Sequence, residues 1–71
     1  MREFTIIVHH ADEGGYWVEV PALPGCFSQG ETLDEAVQNA RDAIESHLEA
    51  LTDAGGDIPE NDDLMIARVA V

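Results

Sequence analysis

The strongest constraint on this fold is a single amphipathic period between residues 32 and 54. Leu33, Val37, Ala40, Ile44, Leu48 and Leu51 recur at the 3.6-residue spacing of one helix stripe, while Glu35, Asp42, Glu45, Glu49 and Asp53 fall on the opposite side. Thr32 followed by Glu35 has the spacing of a capping box. The hydroxyl accepts from one free backbone donor and the carboxylate reaches back to another. Gly55-Gly56 supplies a stop and Pro59 blocks resumption. These signals predict a helix of about 22 residues and ~33 Å at the standard rise.

Everything else in the 71-residue chain must serve or cover that helix. Phe4 to His10 is rich in β-branched residues and reads as a first strand, closed by Asp12-Glu13-Gly14-Gly15. Tyr16 to Val20 reads as its hairpin partner. Pro21 and Pro24-Gly25 force a bend before a short third strand, Cys26 to Gln29. Asp57 to Asp63 reads as a solvated acidic connection. Leu64 to Val71 is apolar except for Arg68 and is expected to form a fourth strand. The expected order is β-β-β-α-β in one domain spanning residues 1–71. Its fold class is α+β, with one helix packed on one face of a four-stranded sheet.

One helix covers only one face. Alternation puts Phe4, Ile6 and Val8 on the helix side of the first strand and Thr5, Ile7 and His9 on the other. It likewise places Trp17 and Glu19 away from the helix. In the last strand Met65, Ala67, Val69 and Val71 suit the helix side, leaving Leu64, Ile66 and Arg68 opposite. Ile7, Trp17 and Ile66 would then form an exposed apolar patch with charged edges, of the kind that marks an interaction surface. Trp17 is its expected anchor, because large aromatics dominate binding hot spots. A domain of this size has a thin stability margin. A homo-oligomer, dimer or tetramer, formed through the open face or a strand edge is therefore expected.

Charge narrows the partners. Fifteen Asp and Glu stand against three Lys and Arg, all of them Arg, giving a net charge of −12. No basic stripe is available to release counterions from a nucleic-acid backbone, so direct nucleic-acid binding is not expected. A basic partner is favoured, since complementary charge speeds encounter and rejects like-charged competitors. The same acidity has two plainer explanations: solubility and a high-salt cytoplasm. The single Cys26 has no internal disulfide partner, and no apolar run suits a signal peptide or membrane span. A cytoplasmic protein without membrane attachment is expected.

Little in the sequence suggests catalysis. His9 and His10 are consecutive on a strand and point to opposite faces, so they do not readily share a metal. His47 flanks the apolar helix stripe as a partly buried residue, and Cys26 reads as a small core residue. The helix carboxylates form a solvent face with no converging histidine. Gly14-Gly15 lies in a hairpin and not in a phosphate-binding turn. No metal, cofactor or catalytic residue is expected.

The segment from Gly15 to Thr32, followed by Glu35-Ala36, strongly resembles the HicB-like antitoxin family. Its most specific parts are Pro21-x-Leu23-Pro24-Gly25-Cys26, Ser28-x-Gly30-x-Thr32 and Glu35-Ala36. The resemblance covers nearly the whole chain. It implies a partial ribonuclease-H-like β-β-β-α-β fold, homo-oligomers, and a role neutralising a small basic HicA-like toxin that degrades mRNA. Many members continue into a ribbon-helix-helix or helix-turn-helix module that binds operator DNA; this sequence stops at Val71, and a short form without that module is expected. The motif residues Pro21, Pro24, Gly25, Cys26, Gly30, Thr32, Glu35 and Ala36 are expected to be structural. The toxin-facing residues are expected among Ile7, Trp17, Glu19 and Ile66 on the sheet, with the acids that meet the toxin's cations either Asp42, Glu45 and Glu49 on the helix or Asp57, Glu60, Asp62 and Asp63 in the loop after it. Inhibition would then proceed by covering the toxin's RNA-binding and active surface. An orphan oligomeric domain with another partner, its acidity reflecting high salt, is the alternative within binding proteins. A ribonuclease-H-like nuclease is the alternative from another class. It would need several carboxylates converging on metal ions, whereas the centre of the first strand is Thr5-Ile6-Ile7-Val8 and the last strand has no acid.

Overall fold

The computed structural model describes residues 2–60 and 65–71. Three strands, β1 (Ile7–His10), β2 (Tyr16–Glu19) and β3 (Phe27–Gly30), precede one helix, α1 (Leu33–Asp53). The sheet is an antiparallel meander in the order β1-β2-β3. Register places Ile7 opposite Glu19 and His9 opposite Trp17 on one side of β2; on the other, Glu19 faces Phe27 and Trp17 faces Gln29.

The β1–β2 connection closes through the Ala11 N–H bonding to the Gly15 carbonyl and the Gly14 N–H bonding to the Ala11 carbonyl, both at 3.1 Å. Between β2 and β3 the motif Pro21-x-Leu23-Pro24-Gly25-Cys26 makes two successive turns. The Leu23 N–H bonds to the Val20 carbonyl at 3.0 Å, with Pro21 supplying the fixed φ of the second turn position. The Cys26 N–H then bonds to the Leu23 carbonyl at 3.0 Å, with Pro24 second and Gly25 third at φ 84°. That is a type II turn, whose third residue must adopt a positive φ. The Val20 N–H bonds to the Cys26 carbonyl at 3.2 Å and closes the loop at its neck.

Helix α1 begins where the sequence places it. Thr32 is extended, and its Oγ1 accepts from the Glu35 N–H at 3.1 Å. The reciprocal half of the capping box is absent: Glu35 lines a hollow beside β2 and β3, and its carboxylate makes no bond to the Thr32 N–H. The helix stops at Ala54 with the Gly55 N–H on the Thr52 carbonyl and the Gly56 N–H on the Leu51 carbonyl. Gly55 has φ 75°. This pair of bonds is a Schellman motif, which satisfies carbonyls the helix leaves open.

Two small cores hang from the helix. Val18, Ala36 and Ala40 form one, with Ile6, Val8 and Tyr16 against it. Val20, Leu23 and Cys26 form the other, with Phe4, Ile6, Ala43, Ile44 and Leu48 against it. The face of α1 that meets the sheet therefore centres on Ala36 and Ala40, both buried, whereas Leu33 and Val37 of the expected stripe are exposed. The rotation follows from how closely the helix sits on β3. Gly30 lies directly under the backbone of Ala36, leaving room for alanine and not for a larger side chain. Asn39 Nδ2 donates to the Gln29 carbonyl at 2.8 Å and fixes the same contact from the flank.

The four-stranded sheet expected from the sequence is corrected to three strands among the described residues. Met65 to Val71 form no strand and are exposed, while Asn61 to Leu64 lie outside the described residues. Ile66 is 70% exposed and does not join Ile7 and Trp17 on the sheet. Apolar character gave Leu64–Val71 its strand propensity, but a strand also needs a paired edge, which periodicity does not supply. Likewise Phe4 to Ile6 belong to no strand, so β1 is shorter than the apolar run that contains it.

Candidate interaction surface

The face of the sheet turned away from α1 carries two rows set by register. Ile7, Glu19 and Phe27 form one row, and His9, Trp17 and Gln29 the other. On this face the side chains organise around Trp17. The His9 ring stacks on the indole with centroids 4.0 Å apart and planes 12° from parallel. Phe27 approaches from the other side at 6.4 Å and a 50° tilt, a geometry aromatic pairs favour. His9 Nε2 lies 3.3 Å from Glu19 Oε1, so the carboxylate holds the imidazole in place over the indole. Cross-strand pairs of this kind stabilise a sheet and also preorder its surface.

Trp17 is 37% exposed and Phe27 60% exposed. A rigid aromatic cluster with one carboxylate beside it suits a protein partner with apolar and cationic groups, because two-torsion aromatics bury large area at little entropic cost. Of the residues expected on this face, Ile7, Trp17 and Glu19 are there and Ile66 is not. Alternation also puts His9 on this side, without a role, and it gives no sign of Phe27. Register would have found it: residues two apart share a face, so the alignment of Gln29 with Trp17 puts Phe27 beside them.

His10 leans on Tyr16 at 5.0 Å on the other side of the sheet, so the two adjacent histidines do separate. Asp42, Glu45 and Glu49 are all exposed along α1. Glu45 accepts from Arg41 Nε at 3.5 Å, an exposed i, i+4 pair worth about 0.3–0.5 kcal/mol at most. The helix acids and the Trp17 cluster belong to different surfaces, since α1 packs on the sheet face opposite Trp17. Cys26 is buried, and desolvation pushes the pKa of its thiol above the ordinary value; it is a core residue and not a nucleophile poised for attack.

Two depressions accompany these surfaces. A polar hollow of about 270 Å³ lies between Tyr16, Gln29, Glu31, Glu35 and Asn39. A groove of about 440 Å³ runs between α1 and the chain leading into β1, with Phe4, Ile6, Val37, Ile44 and Leu48 along it and Arg2 and Arg41 at its rim. Among the described residues no three of His, Cys, Asp and Glu converge so as to hold a metal ion, and no helix is long and apolar enough to cross a membrane.

Residues 4–69 match the family described as the HicB-like antitoxin of bacterial toxin–antitoxin systems. A UPF0150 protein of Thermoplasma acidophilum is 42% identical over 59 residues, covering 83% of this chain and 86% of that protein. A Synechocystis UPF0150 protein is 39% identical over 68 residues, covering 96% and 85%. Among solved structures, the Burkholderia pseudomallei antitoxin HicB is 48% identical with a TM-score of 0.74, over 82% of this chain and 44% of that one. The chain thus spans less than half of that antitoxin. The N-terminal domain of the same antitoxin gives 43% identity and a TM-score of 0.76, over 86% of this chain and 72% of that one. A chain of the solved HicA3 and HicB3 toxin–antitoxin complex is 31% identical with a TM-score of 0.71, over 84% and 70%.

Proposed function

We propose that this chain, which belongs to the HicB-like antitoxin family, is a binding protein that neutralises a small basic HicA-like mRNA-degrading toxin by covering its RNA-binding and active surface. The observation that carries the reading is the ordered Trp17 cluster on the open sheet face, with His9 stacked on the indole and Glu19 holding His9. A surface that binds RNA must present cations, and a protein with a net charge of −12 is drawn to it before any contact forms. Exposed charge pairs contribute only about 0–1 kcal/mol each. Affinity therefore rests on an apolar anchor, for which Trp17 and Phe27 are placed, while Glu19 meets a cation beside it.

The chain acts by occupancy and not by chemistry, as a cytoplasmic protein that needs no cofactor. The relationship to a toxin–antitoxin complex supports the choice of partner. The test is an RNA-cleavage assay with a purified cognate HicA-like toxin. Stoichiometric wild-type chain should abolish cleavage, and Trp17→Asp should restore it while leaving the helical circular dichroism intact. Full inhibition by a folded Trp17→Asp variant would remove the open face from the mechanism.

One further observation favours a second reading: 15 acids and no lysine in 71 residues also suit an orphan oligomeric domain adapted to high salt. The two separate in the same assay, since an orphan domain leaves cleavage untouched at every salt concentration.

A further inference from the structure

Histidine is the one side chain whose ordinary titration falls between about pH 5 and 8, and β1 places one of the chain's three histidines on the open face. The His9 ring lies nearly parallel to the Trp17 indole at 4.0 Å, and its Nε2 stands 3.3 Å from Glu19 Oε1. One imidazole thus touches both the aromatic anchor and the carboxylate beside it. His9 and Glu19 are half-buried, so the pair is shielded enough to interact and open enough to exchange a proton with solvent. Few other charges face the ring. His10 leans on Tyr16 on the other side of the sheet, β3 (Phe27-Ser28-Gln29-Gly30) carries no ionisable side chain, and α1 with its acids packs on the opposite face. Among the described ion pairs Glu19 has His9 and no arginine; Arg2 and Arg41 stand at the groove on the helix side. Asp12 and Glu13, exposed in the hairpin turn, are the next acids along the chain from β1.

We infer that His9 is a proton-responsive positioning residue of the Trp17 face, which presents Glu19 to a basic partner while the imidazole is neutral and withdraws it when the imidazole is protonated. This regulation rests on the toxin-binding reading and acts on the same surface. In the neutral state the imidazole donates its Nε2–H to Glu19 Oε1, and the carboxylate keeps its full charge and its second oxygen for a cation of the partner. Protonation adds a positive charge 3.3 Å from that carboxylate. The pair then sums to zero, and an incoming lysine or arginine meets a like charge beside the anion it seeks. The imidazolium is also attracted to the indole face on which it already lies, so the ring stays over Trp17 and does not swing out of the partner's way. Acidification thus subtracts one charge contact and leaves the aromatic shape of the face in place. A pair that served the sheet alone would hold β1 on β2 at either pH, and partner affinity would not follow the state of His9.

The test has two arms, and the first needs no partner. Trp17 is the chain's single tryptophan, and an imidazolium stacked on an indole quenches its fluorescence. The chain alone should show an emission step between pH 8 and 5.5 that is absent from His9→Gln and present in His10→Gln and His47→Gln. The second arm measures binding of a purified cognate HicA-like toxin by calorimetry at pH 7.5 and 5.5. Wild type should weaken about three- to fivefold more than His9→Gln over that range, the scale of one exposed charge pair, because the toxin's own titration is common to both. Should His9→Gln not fold, His9→Phe keeps a ring over Trp17 with no proton to gain and should be equally insensitive. No emission step in wild type, a step that survives in a folded His9 variant, or an equal loss of affinity in wild type and variant would each overturn the inference. The two readings fail separately: a chain that shows the step but binds toxin at neither pH overturns the toxin-binding reading, and the regulation with it, whereas binding without a His9-dependent change overturns the regulation alone.

Discussion

A methyl group added to Gly30 would stand 2.8 Å from the Cα of Ala36. Neither atom can yield, because one belongs to a paired strand and the other to the first full turn of α1. Gly30→Ala is therefore expected to cost about 1–3 kcal/mol or more, the range for overpacking a tight contact. Gly55 offers a contrast. Its added methyl meets open space, but its φ is 75°, so Gly55→Ala should cost about 1–2 kcal/mol from backbone conformation alone. Urea titration distinguishes the two: asparagine, which tolerates a positive φ, should recover part of the loss at 55 and none at 30.

Thr32 contributes through one hydroxyl. Thr32→Ala should lower stability by about 1 kcal/mol, whereas Thr32→Asp should retain most of it by offering the same acceptor to the Glu35 N–H. Thermal unfolding of the three proteins gives the ranking.

The orientation of α1 is testable by opposed substitutions. Leu33 is exposed, so Leu33→Ala should fall within about 0.5 kcal/mol of wild type. Ala40 is buried against Val18, so Ala40→Leu should destabilise by about 1–3 kcal/mol. A helix seated on the Leu33 and Val37 stripe would reverse that order in chemical denaturation.

Leu23 is fully buried at the centre of the Pro21–Gly25 loop. Leu23→Ala should cost about 2–5 kcal/mol, which is a large share of the stability available to so small a domain. Amide hydrogen exchange should show protection lost first in residues 20–26.

Burial raises the Cys26 thiol above 9.0, so between that value and the folded pKa the unfolded chain releases a proton that the folded chain retains. The thiol's contribution to stability is thus intact below about pH 9 and declines as pH rises through the folded pKa. Urea midpoints of wild type measured against Cys26→Ala should converge as pH is raised above 9. Parallel curves would contradict the burial.

If the exposed acids steer a basic partner, replacing Asp42 by Asn and Glu45 and Glu49 by Gln should slow association and flatten its salt dependence, with dissociation changed less. Stopped-flow mixing with a cognate toxin measures both rates. Identical rates and salt slopes would assign the acids to solubility.

The sequence was most legible where local chemistry decides the outcome. Thr32 and Gly55-Gly56 bound the helix, Pro24-Gly25 sets a type II turn, and alternation puts Ile7, Trp17 and Glu19 on one face. It was least legible where two elements must fit. Leu33 and Val37 look like core because they are large, yet the contact beneath the helix admits only Ala36 and Ala40, a consequence of Gly30 that hydrophobic periodicity does not register. Leu64–Val71 has the composition of a strand, but pairing depends on which edge is free. Phe27 was hidden for the same reason: its place beside Trp17 is fixed by the register of β2 on β3 and by nothing in its immediate neighbours.

The helix α1 reaches well past the short strands, and its two halves rest on different foundations: the sheet under Ala36 and Ala40, the looped motif under Ile44 and Leu48. Neither foundation is large enough to stand alone. The helix therefore works as a splint, and cooperativity in this domain is a property of its rigidity. A break near Ala43, such as a proline, should therefore abolish the folding transition of the whole domain, even though hardly any apolar surface would have been deleted.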